Sequence, residues 1–245
     1  MAKEIIKNAS LLIHGLKLAS NTNQIEFSGE ADPVETTNFA SSGNKEYVQG
    51  LRTTSLNCDL MLDYARDPEE SLNGLLTGET EAAFTVTQTY PPAAGDVAWF
   101  AKAIATYETI KLVVGSLYSG AMKFANRARA VRGTVMEYNS ARTSTGNSSS
   151  TTIAAVGATE KLVGVVHVLT AGGTTPTLDI LIQSDADNSY GSPTTRATIP
   201  QFTTVGSYYF TVDGAITDTE VRVNATVGGT DPSFEYLVAI GIAAF

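Results

Sequence analysis

Residues that could carry acid–base or metal chemistry are scarce in this 245-residue chain. It contains two histidines, His14 and His167, and one cysteine, Cys58. His14 lies in the apolar run SLLIHGLKL and His167 between two valines, so neither sits in the motif context of a catalytic triad. Such a pattern is typical of a packed or hydrogen-bonded strand histidine, and a catalytic base or a pH switch is the alternative. Cys58 follows the apolar alternation of its strand and is interpreted as a small core residue.

Motifs for phosphate or metal binding are also missing. The chain has no Walker A loop, nucleophile elbow or dinucleotide-binding glycine pattern. The run QSDADNSYG superficially resembles a calcium loop, but Tyr190 and Arg196 occupy the positions where an EF-hand needs Gly and Glu. We therefore expect no catalytic residue, no metal site and no cofactor, and we expect that the protein is not an enzyme.

The charge balance is acidic, with 16 basic against 25 acidic residues, a net charge of -9 and a pI near 4.7. This argues against a dedicated binder of the nucleic-acid backbone. The one basic cluster is MKFANRARAVRG, where a strand would place Lys123, Arg127 and Arg129 on one face. They would contact acidic residues of a neighbouring subunit or DNA phosphates, or they form a solvated strand face. The acidity of the chain favours the subunit contact over DNA.

The sequence pattern predicts a mainly β fold with one short helix. An N-cap at Asp67 followed by Pro68 predicts a helix that continues to about Thr77. No run approaches the roughly 20 apolar residues that span a bilayer, and MAKEIIKNAS lacks the apolar core of a secretory signal. We expect a soluble protein made in a reducing compartment, without membrane insertion.

A change in composition predicts two domains. Residues 139–152, NSARTSTGNSSSTT, contain no bulky apolar residue and resemble a flexible linker. This places an N-terminal domain at 1–138 and an antiparallel β-sandwich domain at 153–245. Two segments, TAGGTTPTLDILI (170–182) and TVGGTDPSFEYLV (226–238), share the pattern T-x-G-G-T-x-P. The Gly-Gly and Pro positions predict a β-hairpin that occurs twice.

One segment carries a family resemblance. ADPVETTNFASSGNKEYVQGLRTTSLNCDLMLDY (31–64) resembles the major tail tube proteins of long-tailed, siphovirus-like bacteriophages. The second domain resembles the Ig-like β-sandwich modules that decorate phage virion proteins. The resemblance implies an N-terminal β-sandwich whose sheets join into a barrel, so that six copies form a ring and the rings stack into the tail tube.

The resemblance also implies partners and a location. The chain would assemble with itself and with other tail proteins, namely the tape measure, the tail terminator and the baseplate or tip. It would be made in the host cytoplasm and reside in the virion tail. DNA would pass through the channel without specific binding, which suits an acidic lining. The accessory domain would project outward.

The same resemblance assigns candidate contact residues. A long polar loop over roughly Asp32–Leu51 would reach the adjacent ring, and the alternative is that this loop packs onto its own domain. Its expected inter-ring or inter-subunit contacts are Val34, Glu35, Phe39, Lys45, Tyr47, Val48 and Leu51. The accessory domain offers Tyr190, Tyr208 and Tyr209 for sugar stacking, with core packing as the alternative. A different function also fits: a virion decoration or host-adhesion module that forms no tube.

Overall fold

The computed structural model describes residues 9–18, 22–38, 41, 44–62, 67–77 and 81–244. These residues are mainly strands with antiparallel pairing, so the predicted mainly β fold class is confirmed. The one helix within the described residues is α1 (Asp67–Thr77). The strands are β1 (Ser10–Ile13), β2 (Leu16–Lys17), β3 (Thr22–Glu35), β4 (Tyr47–Met61), β5 (Ala82–Thr87), β6 (Val97–Lys111), β7 (Ser119–Asn126), β8 (Val131–Arg142), β9 (Gly146–Asn147), β10 (Thr151–Thr152), β11 (Glu160–Asp185), β12 (Thr194–Thr198), β13 (Gly206–Asp213) and β14 (Glu220–Ala244).

The chain forms two compact units that interleave along the sequence. The first unit comprises 1–21, 81–102 and 130–245, and the second comprises 22–80 and 103–129. This differs from the division into 1–138 and 153–245 that the composition suggested. A polar composition does not mark a domain boundary here, because the backbone groups of a polar segment can pair with a sheet while its side chains face water.

The stretch expected to be a linker is built into the first unit. Strands β8, β9 and β10 cover much of 139–152, and all three pair with β14. Hydroxyls of the same stretch also accept hydrogen bonds, from the Val227 amide to Thr145 and from the Val223 amide to Ser148. Ser, Thr and Asn side chains serve this role as readily as they serve a flexible chain.

The first unit is a layered antiparallel structure. Its strand order is β12-β11-β14-β8-β6-β5-β1-β2, and β13 pairs with the N-terminal half of β11. One buried cluster joins residues of β1, β5 and β6 to one face of β8, β11 and β14, with Phe100 and Leu237 fully buried. A second cluster packs the opposite face, around Tyr236 and Val166. The central strands are therefore covered on both faces.

The repeated Gly-Gly motif forms corners, and the prediction of hairpins is wrong. In Thr170–Ile182 and Thr226–Val238 the strands β11 and β14 continue through the motif without reversing into a hairpin. Val166 and Leu178, which lie before and after the bend of β11, belong to one hydrophobic cluster. Each strand therefore folds over onto its own continuation, which makes two packed layers out of one sheet.

The two corners face each other with local two-fold symmetry. Thr174 lies opposite Thr230 in the pairing of β11 with β14. Gly173 and Gly229 adopt φ of 105° and 107°, a region that favours glycine. A Cβ on Gly173 would lie 2.5 Å from a backbone oxygen of the opposite corner, and one on Gly229 would lie 2.7 Å from its counterpart. The sequence repeat thus forms the same bend once in β11 and once in β14.

The second unit is a four-stranded antiparallel sheet with the order β3-β4-β7-β6, in which β6 takes part from Ala103 onward. Its buried residues alternate along β4 and β7, where Leu56, Cys58 and Phe124 point inward. Helix α1 buries Leu72 and Leu75. Within the described residues, no helix has the length and apolar character needed to cross a membrane.

Candidate functional site

The segment with the family resemblance folds into a two-stranded arm. Strand β4 pairs with β7 only from Ser55 onward, whereas its pairing with β3 extends further, to Glu35 opposite Tyr47. We call residues 29–54 the arm. The polar loop expected over roughly Asp32–Leu51 begins and ends in strand, up to Glu35 and again from Tyr47, and the Thr36 amide bonds to the Glu46 carbonyl just beyond these strand ends. The strands of the arm pair through backbone hydrogen bonds, and their polar sequence has no apolar alternation. Sequence analysis therefore did not recognise them as strands.

Large apolar side chains of the arm face solvent. Val34 and Val48 lie opposite each other and are 48% and 52% exposed, Tyr47 is 53% exposed, and Leu51 is 81% exposed. Among these four side chains, only Leu51 is largely exposed, and the other three are about half exposed. The Lys45 ammonium lies 3.2 Å from the Glu35 carboxylate near the tip. Phe39 lies outside the described residues.

A second exposed apolar group lies at the turn between β6 and β7, which the sequence analysis did not single out. The alternating sequence of the run Thr109–Leu117 predicts a strand, but β6 ends at Lys111. The side chains that follow are strongly exposed: Leu112, Val113, Val114 and Leu117. Exposed apolar residues that lie next to one another often mark interaction surfaces. The period-2 pattern of the run resembled a half-buried strand and therefore concealed this turn.

The three basic candidates lie along and just beyond β7. Lys123 points outward while its neighbours Met122 and Phe124 are buried, as the alternation predicted. Arg127 and Arg129 are exposed but follow the end of β7 at Asn126, so they do not continue its face as a regular strand. The structure therefore places all three at the surface of the second unit, and only Lys123 lies in the expected strand.

The three candidate tyrosines do not form an exposed platform. Tyr190 is only 8% exposed, shares a hydrogen bond of 3.0 Å with Ser150, and has the Arg222 guanidinium 4.0 Å from its ring centroid. Tyr208 and Tyr209 are successive residues of β13 and so point to opposite sides. Tyr208 is exposed, whereas the buried Tyr209 hydroxyl has a pKa raised to about 12 by burial. Core packing, the alternative for these residues, holds for Tyr190 and Tyr209.

A buried carboxylate network in the first unit was not foreseen from the sequence. Glu235, 7% exposed, accepts hydrogen bonds from Tyr138 at 2.7 Å and Tyr90 at 3.3 Å, and pairs with Lys17 at 3.0 Å. Its equivalent in the sequence repeat, Asp179, is a half-buried residue that accepts hydrogen bonds from the Gln201 side chain. The repeat therefore gave no signal for this site. Lys17 lies in β2, Tyr138 in β8 and Tyr90 in the bend after β5, so the network ties these three segments to β14.

The histidine and cysteine side chains serve packing. Nε2 of the fully buried His167 lies 2.9 Å from the Thr85 hydroxyl, as expected of a hydrogen-bonded strand histidine. Burial, with a smaller effect from His14, lowers the pKa of His167 to about 3. Burial raises the pKa of the Cys58 thiol to about 12. Among the residues that the structure describes, no group of three or more His, Cys, Asp or Glu is placed to hold a metal ion.

Comparison with known proteins gave structural neighbours only. No family model and no curated protein matches the chain. The tail of an empty gene transfer agent particle is 19% identical with a TM-score of 0.41, covering 50% of this chain and 94% of that one. An extracellular contractile injection system, in a PVC sheath–tube complex, is 13% identical with a TM-score of 0.43, covering 52% and 89%.

A third neighbour spans nearly the whole chain. The SPP1 Dit protein, of the hub adsorption apparatus in phages that infect Gram-positive bacteria, is 15% identical with a TM-score of 0.38, covering 97% of this chain and 100% of that one. The structural neighbours are thus phage and gene transfer agent tail proteins, baseplate hub proteins and contractile injection system proteins. Because all these TM-scores lie below 0.5, the function proposed below rests on the sequence resemblance and on the surfaces of this chain.

Proposed function

We propose that this chain is a structural, non-enzymatic virion protein that builds a phage tail tube. Six copies form a ring, rings stack into a tube, and the tube conducts DNA during ejection. The observation that carries the proposal is the exposed arm, where among the described residues Val34, Tyr47 and Val48 are about half exposed and Leu51 is largely exposed. A soluble monomer gains nothing from such a surface, whereas an assembling subunit buries it.

The sheet of the second unit supports the same proposal. Its outer strands, β3 and the C-terminal half of β6, each pair on one side only within the described residues. Unpaired strand edges are a liability that proteins cover or join, and a closed ring of subunits removes both edges at once. The two edges differ in sequence, so their joining is head-to-tail, which is the interface type that generates rings.

The proposed passage of DNA and the proposed position of the outer layer follow from the net charge of the chain and from the limited width of the channel. A net charge of -9 suits a channel that repels DNA phosphates and lets the genome slide. The layer beyond the corners, built from β12 and the adjoining halves of β11 and β14, projects outward, because six such layers would obstruct the channel. The tape measure, the tail terminator and the baseplate or tip are the expected further partners, in the virion.

Sedimentation velocity tests the role of the arm. We expect the wild-type protein to form larger species as its concentration rises, and a variant with Val34→Ser, Val48→Ser and Leu51→Ser to remain small. The three side chains are exposed, so the variant should unfold at the same urea concentration as the wild type. A matched control changes Val205, which is 54% exposed in the first unit, to Ser. Equal self-association of the arm variant and the wild type would contradict the proposal.

A further inference from the structure

The exposed turn between β6 and β7 lies too far from the arm of the same chain to be covered by it. Strand β4 runs from Tyr47 at the arm tip to Met61, which lies opposite Ser119 at the start of β7. The Leu62 amide bonds to the Tyr118 carbonyl, so the turn lies at the end of β4 remote from the arm tip. At about 3.3 Å per residue, the 15 residues of β4 separate the two by roughly 45 Å.

The two surfaces share an apolar character. The arm exposes Val34, Tyr47, Val48 and Leu51, and the turn exposes Leu112, Val113, Val114 and Leu117. Val114 is completely exposed and Leu112 is 79% exposed, and with Val113 and Leu117 they form a group of exposed apolar side chains in one short turn. Since the two groups lie at opposite ends of one sheet, a contact between them requires two copies of the chain.

Their charges are complementary. The arm carries four acidic residues and two basic ones, Glu30, Asp32, Glu35 and Glu46 against Lys45 and Arg52. We call residues 103–129, which contain the outer half of β6, the turn and β7, the basic hairpin. It carries four basic residues and one acidic one, Lys111, Lys123, Arg127 and Arg129 against Glu108. In an acidic chain, this local reversal of sign favours the arm of a second copy over any cationic partner.

We propose that the basic hairpin of one copy is the receiving surface for the arm of another copy. This inference rests on the proposed function and deepens it by naming the partner surface. Arm residues Val48 and Leu51 lie against the apolar turn, while carboxylates of the arm lie beside Lys111 and Lys123. Each copy presents one arm and one receiving surface at opposite ends of its sheet. The contact is therefore heterologous, and it propagates as an open stack.

Disulfide trapping tests the contact directly. A Val48→Cys protein is mixed with a differently tagged Val114→Cys protein under mild oxidation, and cross-linked heterodimers are measured over time. Both positions are more than half exposed, so both variants should fold, and the native Cys58 is buried with a pKa near 12 and stays unreactive. The control pairs Val114→Cys with Val205→Cys, which has an exposure similar to that of Val48. We expect the first pair to cross-link at least tenfold faster than the control.

Charge reversal provides the second measurement. Glu30→Lys with Asp32→Lys in the Val48→Cys protein should slow trapping severalfold at low salt, and so should Lys111→Glu with Lys123→Glu in the Val114→Cys protein. Mixing the two reversed proteins should restore the rate. Reversal of Asp187, an exposed carboxylate of the first unit, should leave trapping unchanged.

The outcomes separate this contact from the tube proposal. Rings or tubes that form while the 48–114 pair cross-links no faster than its control would overturn the contact and leave the tube function standing. Rapid 48–114 trapping in protein that never forms rings or tubes would support the contact and contradict the tube function.

Discussion

At the scale of single residues, His167 makes the stability of the first unit depend on pH. Its pKa is about 3 in the folded chain and near 6.5 when unfolded, so between these values the unfolded chain binds the extra proton. Stability should therefore fall as the pH falls from 6.5 towards 3, by up to about 1.4 kcal/mol per pH unit from this group. Above pH 6.5 the group should have no effect.

Urea unfolding at a series of pH values checks this expectation. The His167→Gln variant lacks the titrating group, while carboxylates affect both proteins alike. The advantage of the wild type over the variant should shrink as the pH is lowered through this window. Parallel stability profiles for the two proteins would contradict the burial and neutrality of His167.

Gly133 in β8 and Gly74 in α1 should respond oppositely to substitution by alanine. A Cβ on Gly133 would lie 2.0 Å from the Ile240 carbonyl oxygen and 2.8 Å from the Phe100 ring, so Gly133→Ala should destabilise by about 3 kcal/mol. A Cβ on Gly74 in α1 meets nothing within 4 Å. Gly74→Ala should stabilise the helix by about 0.5 to 1 kcal/mol. Equal unfolding midpoints for both variants would show that the packing around Gly133 is wrong.

At the scale of elements, the two corners should contribute almost equally to stability. Gly173→Ala and Gly229→Ala each place a Cβ against a backbone oxygen at positive φ, and each should cost about 1 to 3 kcal/mol. Gly172 is the control, since its Cβ would approach nothing closer than 3.6 Å. Thermal unfolding of the three variants measures this. If one corner alone were sensitive, the local two-fold symmetry would be contradicted.

Sequence patterns predicted the elements better than their connections. Alternating apolar and polar residues indicate strands at β5 and along β14, and the Asp67–Pro68 pair predicts the start of α1. The Gly-Gly motif permits a bend, but whether a strand reverses or folds over depends on which distant strand pairs with it. The arm was predicted as a site from its resemblance, whereas its exposure depends on where β7 stops pairing, at Ser55.

The burial of Tyr190 and the Glu235 network lay beyond sequence reasoning for a related reason. Tyr190 has positive φ and its ring lies beside Arg222, a contact between residues that are distant in the sequence. Glu235 acquires its partners from β2, from β8 and from the bend after β5. Neither the residue type nor the local spacing of these positions distinguishes an exposed side chain from a buried one, because burial is set by tertiary packing.

At the scale of the whole molecule, the net charge of -9 predicts that the assembled protein does not retain DNA. Gel retardation of double-stranded DNA should show no binding from low to physiological salt. The exposed Lys123, Arg127 and Arg129 provide too few phosphate contacts for appreciable affinity, particularly once they face the acidic arm of a neighbour. Retention that weakens steeply with added salt would instead assign these residues to DNA.

Electron microscopy of the purified protein at several concentrations tests the central proposal most directly. A chain with an exposed apolar arm, and with two sheet edges that are open among the described residues, should form six-fold rings or hollow tubes, with the layer beyond the corners visible as outer knobs. Tubes that appear only after an initiator complex is added would also support the tube proposal. A uniform population of small particles at every concentration, with and without an initiator, would contradict the tube proposal and favour a decoration or adhesion module.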